Sequence, residues 1–298
     1  MSISNATTAG GTRQGATSRW RTPKWLPLLP FLIFMAIFFF RPMGSVLADS
    51  FQDNDGNWTM ENFRMALQDP YRTGFVRSIQ LGIYSALSSA IPGAILAYII
   101  ESRGGDRLRR VVSSLSGVIA NTGGVPLAFM FIASFGAQGS ATTLLKRVGI
   151  DLYAGSFSLF SLSGLILVYA YFQIPLMVIV FSPAVRGLRR EWHEAARNLG
   201  ATNVQFWRTV GIPVLFPSFS ASFLLLFASA FSAYATARAM TSGAVPLIPL
   251  MIGNLVDGSI VVSQMNLGKA LALGMVIVTA LAMVPYLLLQ RRYAKWQQ

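Results

Sequence analysis

His193 is the only histidine in this chain, cysteine is absent, and the 11 Asp and Glu residues are scattered over 298 positions. A zinc site needs Cys, His or carboxylate ligands brought together. No such cluster is spelled out here, and without thiols there is no disulfide frame. A catalytic pair would have to use His193, which lies in a short helical pattern between Glu191 and Glu194 and has no nucleophile beside it. Nucleotide chemistry is equally unsupported. No Gly-x-x-x-x-Gly-Lys-Ser/Thr occurs, and Gly268-Lys269-Ala270 lacks both the earlier glycine and the hydroxyl that would hold magnesium. No enzymatic role, resident metal or cofactor is expected.

What the residues offer instead is recognition. The segment Glu191-Trp-His-Glu-Ala-Ala-Arg-Asn-Leu-Gly200 reads as a short helix. Glu191 and Glu194 sit in its first turn, where the helix dipole favours anions. Ala195, Ala196 and Leu199 are strong helix formers, and Gly200 is placed to end the helix in the left-handed conformation. A second helical stretch from Asn203 to Val210 then runs into Ile212 and Pro213. Small Ala195 and Ala196 allow another surface to approach closely, while Glu194 and Arg197 can pair with its charges. An ordinary amphipathic helix lying at a membrane interface is the plainer alternative.

The elements that position this segment are apolar and long. The chain is 53% hydrophobic and only 12% charged, with a mean hydropathy of +0.53. A soluble domain carries about 25% charged residues. Because a helix needs roughly 20 mostly apolar residues to cross a bilayer, the uncharged stretches predict six spans. They lie near 25–47, 76–100, 111–136, 158–182, 214–238 and 269–290. The first is interrupted by Arg41, whose guanidinium can snorkel to the interface. It is no cleavable signal, since it follows a 24-residue tail and has no small-residue cleavage site directly after it. The fold class expected is all-α: a polytopic six-helix bundle forming one domain over 25–298, preceded by a disordered basic tail over 1–24. A short helix from Met60 to Leu67 is predicted in the first outer loop.

Orientation follows from charge. With the N-terminus inside, 16 of the 24 Lys and Arg residues fall on the inner side, among them Arg13, Arg103, Arg186 and Arg291, and seven of the 11 acids fall outside. The positive-inside rule then places both termini and the 186–213 loop in the cytoplasm. On this reading the net charge of +13 holds the chain in a lipid bilayer and does not imply nucleic acid.

The spacing of the 186–213 loop resembles the EAA motif of binding-protein-dependent ABC importer permeases. That pattern is Glu-Ala-Ala, three residues, Gly, nine residues, Ile, one residue, Leu-Pro. Here it reads Glu194-Ala195-Ala196, Gly200, Val210, Ile212, Pro213, with apolar replacements at the two aliphatic positions. Trp58-Thr59-Met60-Glu61-Asn62-Phe63 and Leu96-Ala97-Tyr98 are also similar to this family, which would correspond to about Ser78–Tyr293. The resemblance implies the type I importer fold in a bacterial inner membrane. It also implies a cytoplasmic ABC ATPase dimer that hydrolyses ATP, a second permease subunit that is a homologue, and an extracytoplasmic solute-binding protein. Coupling to the ATPase would use Glu191, Glu194, Ala195, Ala196, Arg197, Leu199, Gly200, Ile212 and Pro213. The stretch from Tyr169 to Tyr234 looks nearest to the polyamine (spermidine/putrescine) group, with sugar, ferric iron, thiamine and phosphonate permeases as alternatives. A secondary transporter is the rival class, but the spans hold no midplane ionisable group of the kind ion coupling uses.

Polar groups inside spans are costly unless they meet a partner or line a path. Asn121 lies in the third expected span. Tyr169 and Gln173 in the fourth are four apart and share a helix face, as do Ser232 and Thr236 in the fifth, near Tyr234 and Arg238. These residues are the candidate solute path; the competing reading is polar and small-residue glue between helices.

Overall fold

The computed structural model describes residues 28–53, 55–155, 157–257 and 264–294. The expected tail over 1–24 lies outside the described residues. Among the described residues the chain is helical, with one isolated bridge between Gln52 and Trp58. Six helical segments are long and apolar enough to cross a membrane: Leu29–Asp49, Tyr71–Ser102, Val125–Arg147, Leu162–Arg186, Asn203–Phe231 and Met265–Pro285. Two compact units divide the chain between Ser45 and Val46.

In the first unit, α1 (Leu29–Met35) passes through a π-helical turn (Ala36–Phe40) into α2 (Arg41–Asp49), whose last residues from Val46 belong to the second unit. The wider turn directly precedes Arg41-Pro42. Proline has no N–H to give the carbonyl four residues back, and its ring clashes there. The π turn relieves this by pairing the Arg41 N–H with Ala36 O instead. The same device recurs before Ile212-Pro213, where Trp207–Gly211 is a π turn and the Ile212 N–H reaches Trp207 O.

In the second unit, a short α3 (Glu61–Ala66) falls within the expected 60–67. Its Asn62 donates to Ser50 O and Gln52 O. The long α4 (Tyr71–Arg103) and α8 (Leu162–Arg186) form the most extensive helix pair. Small residues make this possible. Ser85, Ala86, Ser89, Ala90 and Ala97 are buried on one side of α4. A Cβ on Gly93 would lie 2.6 Å from Met177 Cβ and 3.0 Å from Ile174 O. In lipid, where apolar burial gives little net drive between helices, such close backbone approach supplies the packing. The third partner is α11 (Ile212–Phe231), and α14 (Met265–Ala294) packs on it. At one end Lys269 Nζ pairs with Asp49 Oδ2 at 2.7 Å, and Asn266 Nδ2 donates to Asp53 O at 2.9 Å. Asp53 in turn accepts from the backbone N–H groups of Asp55 and Asn57. The Asn57 backbone bond first among these holds its carboxyl below the usual carboxylate range.

Two expected spans differ in shape. The third, expected over 111–136, falls on α5 (Asp106–Ala120) and α6 (Val125–Phe135) with a break at 121–124, and the membrane-length apolar segment there is Val125–Arg147. Gly124 there has φ +92°, a conformation that favours glycine. The fifth, expected over 214–238, begins earlier, at Asn203, and stops at Phe231. After a break at 232–234 the chain continues as α12 (Ala235–Thr241). In sequence, α7 (Ser140–Arg147) follows α6, and α13 (Ile248–Val256) follows α12.

Candidate functional site

Between α8 and α11 the chain makes α9 (Arg190–Asn198) and α10 (Asn203–Phe206), joined by a corner that local chemistry fixes. Gly200 takes φ +80°. The Gly200 N–H donates to Arg197 O and the Ala201 N–H to Ala196 O, both at 2.9 Å. This Schellman arrangement satisfies the last carbonyls of α9. Two residues on, Thr202 and Gln205 cap α10 reciprocally: the Thr202 N–H donates to Gln205 Oε1 at 2.7 Å and the Gln205 N–H to Thr202 Oγ1 at 3.3 Å. The inward side of α9 is anchored by His193, whose ring meets buried Phe206 edge-on at 4.6 Å. Phe206 stands against Trp207 at 6.0 Å, and Trp207 against Tyr98 of α4 at 5.0 Å. A line of aromatic rings thus runs from α9 to α4.

No residue of α9 is buried. Glu191, Glu194, Ala195 and Arg197 are exposed and Ala196 is half-buried. Glu194 makes only a solvent-exposed pair with Arg190 at 3.5 Å, an interaction worth about 0–1 kcal/mol. Leu199 is 88% exposed, with Trp192 and Val204 also presented to solvent. The expected residues from Glu191 to Gly200 are therefore gathered on one short, rigid, open element. Ile212 and Pro213 are not part of α9. They form the first turn of α11, directly after the π turn that accommodates proline's missing N–H, and Ile212 lines an apolar groove with Ala94, Phe181 and Trp207.

The sequence reading missed what lies beneath α9. The Glu101 side chain is only 4% exposed; its Oε1 lies 3.1 Å from Arg186 Nη2 and its Oε2 3.4 Å from Arg109 Nε. Arg109 Nη2 also donates to Glu101 O at 2.6 Å. One carboxylate thereby ties the ends of α4, α5 and α8 together. The only hint in the sequence was an acid at a span end beside many arginines.

The candidate path residues separate into two groups. Tyr169 and Gln173 share a face, but that face is interior. Gln173 Oε1 accepts from Ser89 Oγ at 3.2 Å, and its Nε2 donates to Leu226 O at 2.9 Å, joining α4, α8 and α11. The Tyr169 hydroxyl is buried with no partner among the described residues. Both side chains are packed inside this subunit, away from its surface. Ser232 and Thr236, by contrast, do not share a face, because the helix breaks between them. Ser232 is exposed and bonds its own helix, whereas Thr236 is buried. Thr236 Oγ1 accepts from the Gly124 N–H at 2.9 Å, so the two breaks at 121–124 and 232–234 are fastened to each other. Around them Asn121 and Tyr234 are exposed. Arg238 bonds Asn254 Oδ1 and is half-buried.

Six apolar, membrane-length helical segments among the described residues, with an exposed helical corner between two of them, define a helical membrane protein. Residues 90–297 match the family described as the binding-protein-dependent transport system inner membrane component, and the chain belongs to that family. It is 24% identical over 177 residues to the probable sulfate transport system permease protein cysT of Chlorella vulgaris. That match covers 58% of this chain and 62% of the algal protein. The 2-aminoethylphosphonate transport system permease protein PhnU of Salmonella typhimurium is 27% identical over 202 residues, 66% of this chain and 68% of its own. The fold is shared with a crystal structure of a bacterial ABC transporter involved in the import of the acidic polysaccharide alginate. The TM-score is 0.69 at 17% identity, covering 92% of this chain and 96% of that one.

Proposed function

We propose that the chain is the permease subunit of an ATP-binding-cassette importer and that α9 is the element through which a separate ATPase drives it. The carrying observation is α9 itself: a nine-residue helix with nothing buried, locked by a Schellman corner and a capping box, and wired to α4 through His193, Phe206, Trp207 and Tyr98. A partner that grips Glu191, Glu194, Ala195, Ala196, Arg197 and Leu199 moves α8, α11 and α4 together, as a rigid-body transition between inward-open and outward-open states requires. The ATPase dimer sits on the cytoplasmic side with both termini of this chain. A homologous permease completes the path and an external solute-binding protein delivers cargo; support for the last is an alginate ABC transporter of the same fold crystallised in complex with a periplasmic protein.

The solute is a small polar or ionic species. The polyamine affinity expected from the Tyr169–Tyr234 stretch finds no support in the sulfate and 2-aminoethylphosphonate names of the relatives above. Beside the helix breaks stands the cation Arg238, which suits an anion better than a polyamine. The path is proposed along Asn121, Ser232, Tyr234 and Arg238, beside the two breaks. Broken helices at membrane depth are tolerated where they line a cavity or are buried in protein. The test is Glu194→Lys combined with Gly200→Val in the reconstituted transporter. Membrane insertion should stay normal while transport-stimulated ATP hydrolysis is lost; unaltered stimulation would contradict the docking role.

A further inference from the structure

Two cavities on the α9 side of the bundle are stacked along the same helices and differ sharply in chemistry. The one nearer α9, about 640 Å³, is lined by Arg109, Arg186, Arg189 and Arg190, with Ser102 and His193. Against these four guanidiniums stand the buried carboxylate of Glu101, shared by Arg109 and Arg186, and two exposed ones, Asp106 on Arg109 and Glu194 on Arg190; Arg189 has no ion pair among the described residues. The second, about 420 Å³, is an apolar groove lined by Ala94, Ile95, Phe181, Leu215 and Phe219. Tyr98 lines both cavities. On α4 the groove takes Ala94 and Ile95 one turn before Tyr98, and the cleft takes Glu101 and Ser102 one turn after. On α8 the groove takes Phe181 and the cleft Val185 and Arg186, again one turn apart. Phe206 faces the cleft and Trp207 the groove. The Tyr98–Trp207 edge contact marks the seam, where amphipathic aromatic rings belong at a membrane surface.

We propose that cleft and groove together bind one anionic phospholipid of the adjacent leaflet, its phosphate held by Arg109, Arg186, Arg189 and Arg190 and an acyl chain lying in the groove. The charge complementarity is of the kind that captures acidic headgroups between transmembrane helices, and guanidiniums pair phosphate oxygens in bidentate fashion. The continuity of the two cavities selects an amphiphile over a free anion. Because Arg190 and His193 belong to α9, the lipid would brace the helix that receives the push.

The experiment uses the transporter purified from its own membrane through a tag on this chain and transferred to nanodiscs of mixed phosphatidylglycerol and phosphatidylcholine. Lipids retained on the complex are read by native mass spectrometry. Phosphatidylglycerol should be enriched on the wild type. Arg189→Gln with Arg190→Gln should lower that enrichment roughly tenfold while leaving phosphatidylcholine retention unchanged. Ile95→Trp, which fills the groove without touching the arginines, should lower retention of both lipids. Equal retention of the two lipids by the wild type, or enrichment unaffected by the arginine pair, overturns the proposal. Displacement of phosphatidylglycerol by inorganic phosphate would instead reveal a free-anion site, and crosslinking of Ile95→Cys to the second permease would assign the groove to a subunit interface; either result also overturns it. The readout is lipid composition, so it stands or falls separately from ATP-driven coupling.

Discussion

Arg186 Nη2 lies 3.1 Å from Glu101 Oε1, joining the end of α8 to the end of α4 immediately before the chain turns into α9. The pair is asymmetric: the carboxylate side chain is 4% exposed and the guanidinium 61%. Removing one partner of a fully buried pair costs about 3–5 kcal/mol because the other charge is stranded. Here the stranded charge differs with the side removed. Glu101→Gln leaves two arginines that reach water and should cost about 1 kcal/mol. Arg186→Gln leaves a buried carboxylate with Arg109 alone and should cost roughly 2 kcal/mol. Thermal unfolding of the purified complex measures the order, and a reversed ranking would show that Glu101 is solvated in the working state.

Gly200 carries the corner after α9 at φ +80°. A residue with a Cβ pays about 1–2 kcal/mol there, less for Asn, which tolerates this region. A Cβ at Gly200 meets nothing within 4 Å, so the effect is one of backbone conformation and not of crowding. Stimulated ATP hydrolysis should fall in the order Gly200, Asn, Val while the amount of chain in the membrane is unchanged. Equal stimulation in all three would remove the requirement for a fixed corner.

This corner was readable because its determinants are local: an anionic first turn, small helix formers and a glycine, all within about ten residues. The glycine's left-handed conformation followed from its position alone. The breaks at 121–124 and 232–234 were not readable. They sit within apolar stretches, and the bond that fastens them joins Thr236 to Gly124 across 112 positions. Likewise Glu101 finds Arg186 only when α4 and α8 pack. Tyr169 and Gln173 were correctly placed on one face, but helical periodicity cannot say whether a polar face looks at a solute or at a neighbouring helix. That depended on Ser89 and Leu226 arriving from α4 and α11.

The interior placement of that face has a direct consequence. Tyr169→Phe deletes a buried hydroxyl that has no partner among the described residues, so stability should hold or rise by up to about 1 kcal/mol. Gln173→Leu removes two interhelical hydrogen bonds and should cost about 1 kcal/mol, the scale typical of such bonds in membranes. Solute affinity in uptake assays should be unchanged in both. A tenfold rise in KM without loss of stability would return these two residues to the path.

Thr236 offers the sharpest separation of transport from coupling. Its hydroxyl is the partner of the Gly124 N–H, at the point where α5 has ended and α6 has not begun. Thr236→Val keeps the shape and removes the acceptor, leaving a part-buried N–H unpaired at a cost of about 1–3 kcal/mol. Thr236→Ser keeps the hydroxyl and serves as the control. With Val, the segments bearing Asn121 on one side and Ser232 and Tyr234 on the other lose their mutual fastening. α9 and its aromatic link to α4 involve none of these residues. Solute uptake should therefore fall in the Val variant and persist in the Ser variant, while ATP hydrolysis stimulated through α9 continues in both. Uptake at wild-type rate in Thr236→Val would show that the two breaks are fixed by packing alone and that their hydrogen bond has no part in the translocation path.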